Sequence, residues 1–185
     1  MDRLRLPRKL ETKEVLENEE GMGQILTDIL EGMASSGYTV IELNDQKPWG
    51  AYVRLDGTDA DRFVEDFFPD LSPEEARLGI EGAELSPKFL IVSPGQRLSW
   101  QYHGRRAERW RFLTNGAYHK SDTDDEGELV SVPAGSVVQF ARGERHRLVG
   151  LDDEHVVVAE IWQHTNPESP SDEEDIVRLA DDYQR

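Results

Sequence analysis

The stretch WQYHGRRAERW occupies residues 100–110 and brings an amide, an imidazole and a carboxylate close together in the chain. Side chains two residues apart on a β-strand point to the same face, so Gln101 and His103 would share one face. The polar HGRR segment can turn the chain, which would return Glu108 on the neighbouring strand. Because the pattern also fits an ordinary polar hairpin, a second segment is needed to distinguish the two interpretations.

That second segment is GSVVQFARGERH at 135–146. Gly135 and Gly143 bracket a short run that reads as a strand, and His146 follows the second turn by three residues. Inside a barrel this histidine could meet the first three side chains. Four ligands of mixed nitrogen and oxygen type suit Zn, our first choice, or Mn, Fe or Ni, better than Ca or Mg. The predicted ligands of one divalent metal ion are Gln101, His103, Glu108 and His146.

The rest of the chain predicts an all-β fold. From Lys88 onward, short runs rich in valine and aromatic residues alternate with turn segments of glycine, proline and acids. Two earlier runs, 38–43 and 50–55, also read as strands. Many short strands at regular intervals are typical of a sandwich or barrel. We therefore expect residues 37–185 to form one barrel domain.

Helical patterns appear before the barrel and within it. Apolar residues recur at helical spacing in 11–34 and predict an amphipathic helix in an N-terminal extension spanning 1–36. Its apolar face either packs on the domain or forms a homodimer contact, and periodicity alone does not choose. A short helical insertion is predicted at 58–86, and the acidic tail 165–185 has room for one short helix after Ser171.

Composition excludes several classes of partner. The formal net charge of −17 makes the surface repel nucleic acid and anionic membranes, so we expect neither as a partner. The absence of cysteine excludes disulfides and thiolate metal sites. No apolar run of about 18 residues is present, and the first residues lack the apolar core of a secretory signal. A cytoplasmic location is therefore the expectation.

Taken together, the two ligand segments resemble the paired motifs of the cupin superfamily. The first motif is glycine, five residues, a ligand, any residue, histidine, four residues and glutamate. The second is glycine, five residues, Pro-x-Gly, two residues and histidine. The present chain departs at one position, where alanine replaces the proline of the second turn. The matching positions are Gly95, Gln101, His103 and Glu108, then Gly135, Ala141, Gly143 and His146.

Within that superfamily, the chain looks like the type II mannose-6-phosphate isomerases, whose cupin domain occurs alone or fused to a GDP-mannose pyrophosphorylase. The segments that carry the likeness are KPWG, SPGQRLSWQYHGRRAERW, ARGERHRL and EEDIVRLADDYQR, and it covers about 47–57 and 88–185. The resemblance implies a double-stranded β-helix, the cupin jelly roll, with the N-terminal helix and the helical insertion outside it. It also implies a metal-dependent isomerase of mannose 6-phosphate and fructose 6-phosphate.

The isomerase interpretation assigns roles to further residues. The phosphate of the substrate needs local cations, because the protein as a whole is strongly acidic. Arginines are the candidates, because a guanidinium group pairs with two phosphate oxygens in a fork. The candidate catalytic residues include Lys88, which corresponds to a lysine of the similar isomerases, while Asp175 is an alternative base. The substrate-binding candidates are Arg105, Arg106, Arg147 and Arg178, and the catalytic candidates are Lys88, Arg106 and Glu160.

Two other functions remain open at this point. The first is a non-catalytic cupin that binds a sugar or sugar nucleotide. The second is an iron-dependent oxygenase. A close variant of the main hypothesis is also open, namely an isomerase of glucose or heptose phosphate. The oxygenase fits less well, because such sites use two histidines with a carboxylate or three histidines, whereas here an amide, Gln101, takes one position.

Overall fold

The computed structural model describes residues 18–184, with side chains from residue 21 onward. Within these residues, the short valine-rich and aromatic runs of the sequence contribute to eleven strands. The strands make two antiparallel sheets. The six-stranded sheet has the order β1-β2-β3-β10-β5-β8, with β1 Val40–Lys47, β2 Gly50–Leu55, β3 Leu85–Val92, β5 Arg106–Phe112, β8 Val137–Phe140 and β10 Val156–His164. The five-stranded sheet has the order β11-β4-β9-β6-β7, with β4 Trp100–Tyr102, β6 Gly116–Ser121, β7 Val130–Val132, β9 Arg145–Val149 and β11 Val177–Ala180.

Helices add a third layer. Helix α1 is Asn18–Ser35, α2 is Ala60–Phe67 and α3 is Pro73–Ala76, with one 3₁₀ turn at Gly57–Asp59. The start of α3 follows from a capping box, in which the side chain of Ser72 accepts a bond from the backbone N–H of Glu75 and the Glu75 carboxylate accepts one from the backbone N–H of Ser72. Within residues 18–184, no helix combines the length and apolar character that crossing a membrane requires.

The first core lies between the helices and the outer face of the six-stranded sheet. Ile25, Ile29 and Met33 of α1 are buried there against α2 and β3. The Phe63 and Phe89 rings of this core meet edge to face with centroids 5.4 Å apart. The interpretation of the amphipathic segment as a packed helix is therefore confirmed, although its residues 11–17 lie outside the described ones. A homodimer stays a prediction, and this apolar face no longer motivates it.

Strand β10 runs between both cores, and all nine of its residues are buried. Val157, Ala159 and Ile161 face the helices, whereas Val156 and Val158 face the second core between the two sheets. Because side chains alternate along a strand, Glu160 and Trp162 must also point between the sheets. The strand therefore brings a carboxylate into the interior of the barrel.

The structure corrects one element and adds others. The short helix expected after Ser171 is wrong, because residues 177–180 form β11, which pairs with β4. All four residues of β11 are exposed, so they carry no alternating pattern that would reveal a strand. Strands β6 and β9 were also not predicted, since polar and basic residues interrupt their apolar positions.

We expect Phe89→Ala to lower the free energy of unfolding by about 3–5 kcal/mol, because a fully buried ring leaves a cavity among aromatic neighbours. Urea denaturation followed by tryptophan fluorescence measures the change. The control is Leu129→Ala, at a side chain 54% exposed, which should change the free energy by no more than about 0.5 kcal/mol. Equal effects of the two substitutions would contradict this account of the core.

Candidate metal centre

Both sheets contribute to the predicted ligand set. Gln101 on β4 lies directly opposite His146 on β9, whereas Glu108 lies on β5 of the other sheet. His103 follows β4, and its carbonyl oxygen accepts a bond of 2.9 Å from the backbone N–H of Gly143. The turn before β9 is thus tied to the strand that carries the first two candidates. The ligands can meet only because the sheets close over one another.

Three of the predicted ligands converge. The Nε2 atom of His103 lies 3.0 Å from Glu108 Oε1, and the Nε2 atom of His146 lies 3.2 Å from Glu108 Oε2. The candidate ligand atoms of the three residues are all within 4.8 Å of one another, and all three side chains are buried. The group can hold a divalent metal ion.

The hydrogen bonds of the two histidines orient them for metal binding. Nδ1 of His103 donates to the carbonyl oxygen of Asp175 at 2.6 Å, and Nδ1 of His146 donates to that of Glu144 at 2.9 Å. A nitrogen that approaches a carbonyl must carry the proton, so each Nε2 presents its lone pair to the centre. Nε2 of His146 has no hydrogen-bond partner among the described residues. This buried, unsatisfied acceptor fits a metal ion.

The protonation states of the side chains in the centre also suit a bound cation. Burial raises the pKa of Glu108, but Arg106 and, when they are protonated, His103 and His146 outweigh it and hold that pKa well below its ordinary value. Burial lowers the pKa of His103, which favours its neutral imidazole. An ionised carboxylate and a neutral imidazole are the forms that bind a cation, so Glu108 and His103 need not lose protons at neutral pH.

Gln101 lies beside the centre, but its amide oxygen is engaged elsewhere. Its Oε1 accepts a bond of 2.5 Å from the hydroxyl of Ser99, and its Nε2 is 3.4 Å from Nε2 of His103. An amide coordinates a metal through oxygen, so binding would require the amide to turn over. Its role as the fourth ligand stays a prediction.

Arg106 connects the centre to the C-terminal segment. Its Nε donates to Glu108 Oε1 at 2.8 Å, and its Nη1 donates to the hydroxyl of Ser171 at 2.8 Å. The guanidinium stacks at 3.6 Å on the ring of Trp162, and its Nη2 lies 3.3 Å from Nε2 of His103. The side chain is buried, and protein groups already use most of its donors. It lies at the centre, but a phosphate would have to compete with those groups.

Glu160 is held by two tryptophans. Its Oε1 accepts a bond of 2.9 Å from the indole of Trp110, and its Oε2 accepts one of 3.0 Å from Trp162. Burial, followed by the nearby charge of Glu108, raises the pKa of Glu160 to about 8. Tryptophans that alternate along a strand ordinarily predict core packing and not a contact with a carboxylate. The available signal was their position, since Trp162 follows Glu160 by two residues and so shares its face.

A cavity with a volume of about 90 Å³ opens beside the centre. That volume is below the roughly 300–1,000 Å³ typical of small-molecule sites, so a sugar phosphate would also occupy the open space in front of it. Glu173 and Ile176 of the C-terminal segment form part of the cavity wall. The charged groups that line it are the cations Lys47, Lys88, Arg106 and Arg178 and the acids Glu108, Glu160 and Glu173.

The structure separates the predicted basic residues into two groups. Arg106, Arg178 and Lys88 line the cavity, whereas Arg105 and Arg147 do not. The Arg105 guanidinium pairs with Asp172 on the C-terminal segment at 3.0 Å. Arg147 follows His146 on β9 and therefore points to the opposite face, where it pairs with Glu126 and Asp182. The geometry gives no support to Arg105 and Arg147 as substrate ligands.

The residue that departs from the cupin motif has a compensating bond. The backbone N–H of Ala141 donates to the carboxylate of Glu144 at 2.9 Å, and the N–H of Glu144 donates to the carbonyl of Ala141 at 3.0 Å. Proline has no N–H and could not make the first bond. Gly143 adopts φ +81° in this turn, which glycine tolerates. A side-chain bond thus restrains the turn before His146.

Solved structures are similar to the chain, whereas no family model and no curated protein matches it. A point mutant of the Bacillus subtilis oxalate decarboxylase OxdC has a TM-score of 0.50 and 15% identity over 74% of this chain and 30% of that one. The capsular polysaccharide assembling protein CapF from Staphylococcus aureus has a TM-score of 0.48 and 16% identity, over 85% and 38%. Vicilin from tomato has 0.47 and 13%, over 73% and 32%.

The chain spans about a third of the length of these neighbours. At such low identity, the likeness concerns the fold and carries no activity or substrate with it. The predicted all-β jelly roll is confirmed.

We expect the purified protein to hold about one divalent ion per chain, measured by elemental analysis after dialysis. The double substitution His103→Ala with His146→Ala should abolish binding, because it removes both imidazole ligands of the buried cluster. His119→Ala is the control, since that ring donates to the carbonyl of Gly127 and is not part of the cluster. Full metal content in the double variant would show that the ion binds elsewhere.

Proposed function

We propose that this chain, which has the cupin fold, is a metal-dependent aldose–ketose isomerase of a sugar phosphate, with mannose 6-phosphate and fructose 6-phosphate as the first pair. The observation that carries the proposal is a fixed, buried carboxylate, Glu160, in a cavity that is also lined by Glu108 of the His103–Glu108–His146 cluster. The sequence motifs shared with type II mannose-6-phosphate isomerases support the choice of substrate. Isomerases of glucose or heptose phosphate would use the same groups.

Interconversion of an aldose and a ketose moves one proton between C1 and C2 of the open-chain sugar and a second between the oxygens O1 and O2. A bound divalent ion would supply Lewis-acid polarisation of the carbonyl group. Glu160 is placed to accept the proton from one carbon and to return it to the other. Its two indole bonds fix both carboxylate oxygens, so the group is oriented before substrate arrives.

The pKa of Glu160 supports this role. At about 8 it lies close to neutral pH, where a group that alternately takes up and releases a proton works best. Lys88, the other predicted acid–base residue, lies directly opposite Glu160 on β3, and its ammonium pairs with Glu173 at 3.0 Å. We therefore assign proton transfer to Glu160 and assign to Lys88 the binding of the negatively charged substrate.

The charge of the cavity supports an anionic substrate. Four cations line it, although acids outnumber basic residues 38 to 21 in the whole chain. A phosphate ester would be repelled by most of this surface and attracted here, so the cavity is the favoured place for its binding. A cytoplasmic location agrees with a sugar phosphate as substrate and stays a prediction.

Glu160→Gln should lower the turnover of mannose 6-phosphate by about 10²- to 10⁴-fold, because the amide cannot accept the substrate proton. A coupled assay with metal restored measures the rate, and metal content should be unchanged. The control is Glu84→Gln, at an exposed carboxylate outside the cavity. If the wild-type protein binds sugar phosphates without turnover, the non-catalytic cupin replaces the isomerase; oxygen uptake with bound iron would instead identify an oxygenase.

The pH dependence of kcat/KM should follow the ionisation of Glu160. Its pKa is raised to about 8, so at pH 7 most molecules carry it protonated and unable to act as the base. We expect kcat/KM to rise with pH and to level off above about pH 8. Rates measured between pH 6 and 9 in wild type and Glu160→Gln test this, with a flat residual rate expected in the variant. A wild-type rate that is independent of pH over this interval would exclude Glu160 as the base.

A further inference from the structure

Two cations at the cavity have no acidic partner. Within the part of the chain that the structure describes, the Arg178 side chain makes no hydrogen bond or ion pair, and the Lys47 ammonium contacts only the ring of Tyr52, at 5.6 Å. Arg178 lies directly opposite Gln101 in the sheet, so the two side chains share a face. On a protein of net charge −17, unpaired cations beside a cavity indicate a site for an anion.

A third cation has a partner that is easily removed. Lys88 is only 5% exposed, with its ammonium 5.1 Å from the Tyr52 ring that also meets Lys47. Its ion pair is with Glu173, whose side chain is 53% exposed. A buried ammonium needs a counter-charge, and here a largely solvated carboxylate supplies it.

The segment that carries Glu173 is anchored by other residues. The Asp175 carboxylate accepts bonds from the backbone N–H groups of Gly104 and Arg105, at 2.8 and 2.9 Å, and one from the hydroxyl of Ser171. Glu173 itself makes no other side-chain bond than that to Lys88 among the described residues. Its side chain can therefore swing into solvent without releasing the segment.

We propose that Lys88, together with Lys47 and Arg178, forms a subsite for the phosphate group of the ligand, and that the Glu173 carboxylate occupies this subsite until the ligand displaces it. The assignment rests on the proposed function only in taking the ligand to be a small phosphate ester. Three cations match a group that carries nearly two negative charges better than they match a single carboxylate. Displacement of Glu173 also removes a side chain from the wall of the small cavity.

The experiment is calorimetric titration of the full-length, metal-loaded protein with mannitol 6-phosphate, which cannot be isomerised, and with mannitol, which lacks the phosphate. Glu173→Gln removes the competing carboxylate and should tighten mannitol 6-phosphate binding by about three- to tenfold. Lys88→Met should weaken it by at least about tenfold, because a charged contact to the phosphate is lost. Mannitol affinity should not change in either variant.

Glu174→Gln is the matched control, because it removes the same charge from the neighbouring residue, whose side chain is exposed and does not line the cavity. It should change the affinity for mannitol 6-phosphate by less than about twofold. Equal tightening by Glu173→Gln and Glu174→Gln would reduce the effect to overall charge and overturn the proposal. Unchanged binding of mannitol 6-phosphate in Glu173→Gln would also overturn the proposal, because a substitution at this exposed position leaves folding unaffected.

Two further arms separate this proposal from the proposed function. Gluconate, a sugar with a carboxylate and no phosphate, should bind at least about tenfold more weakly than mannitol 6-phosphate, and equal binding would overturn the assignment to phosphate. The affinity for inorganic phosphate should change in the same order as that for mannitol 6-phosphate: highest in Glu173→Gln, lower in wild type and lowest in Lys88→Met. If that order holds and no sugar phosphate is isomerised, the subsite stands and the isomerase proposal fails. If isomerisation occurs but the order is absent, only the subsite is overturned.

Discussion

One buried negative charge organises the interior of this barrel. Glu108 is 2% exposed and ionised, and a charge in that position is tolerated only with compensating partners around it. Those partners come from both sheets, because His103 and His146 approach from one while Arg106 lies two residues away on the same strand. The closure of the sheets and the assembly of the centre are thus the same event. Arg106 compensates the charge of Glu108 directly, and a cation held between Glu108 and the two imidazoles would complete that compensation.

The C-terminal segment is the second constraint, and it acts through the first. The carbonyl of Asp175 fixes the tautomer of His103, while Ser171 and Asp172 hold the guanidinium of Arg106. A segment that is acidic and largely exposed therefore orients two groups of the centre. It also contributes Glu173 and Ile176 to the wall of the cavity. Access to the site and the geometry of the site depend on the same residues.

A third feature is the burial of β10 on both faces. Helices α1 and α2 cover its outer side, whereas Glu160 points to the inner side, between the two sheets. There its carboxylate is satisfied by the indoles of Trp110 and Trp162. The same burial that raises its pKa makes it a candidate for proton transfer.

Much of this could be predicted from the amino-acid sequence, because it depends on local periodicity. Alternation along a strand predicts Gln101 and His103 on one face, and the spacing shared with the cupin motifs predicts Glu108 and His146 beside them, of which the structure brings His103, Glu108 and His146 together. Only the tertiary structure decided which cations line the cavity together, since Lys88 and Arg178 come from β3 and β11, which belong to different sheets. It also decided the role of the tail, because Lys88 and Glu173 are 85 residues apart. Contacts between distant segments leave no periodic signal in either segment, and their partners are set by how the sheets close.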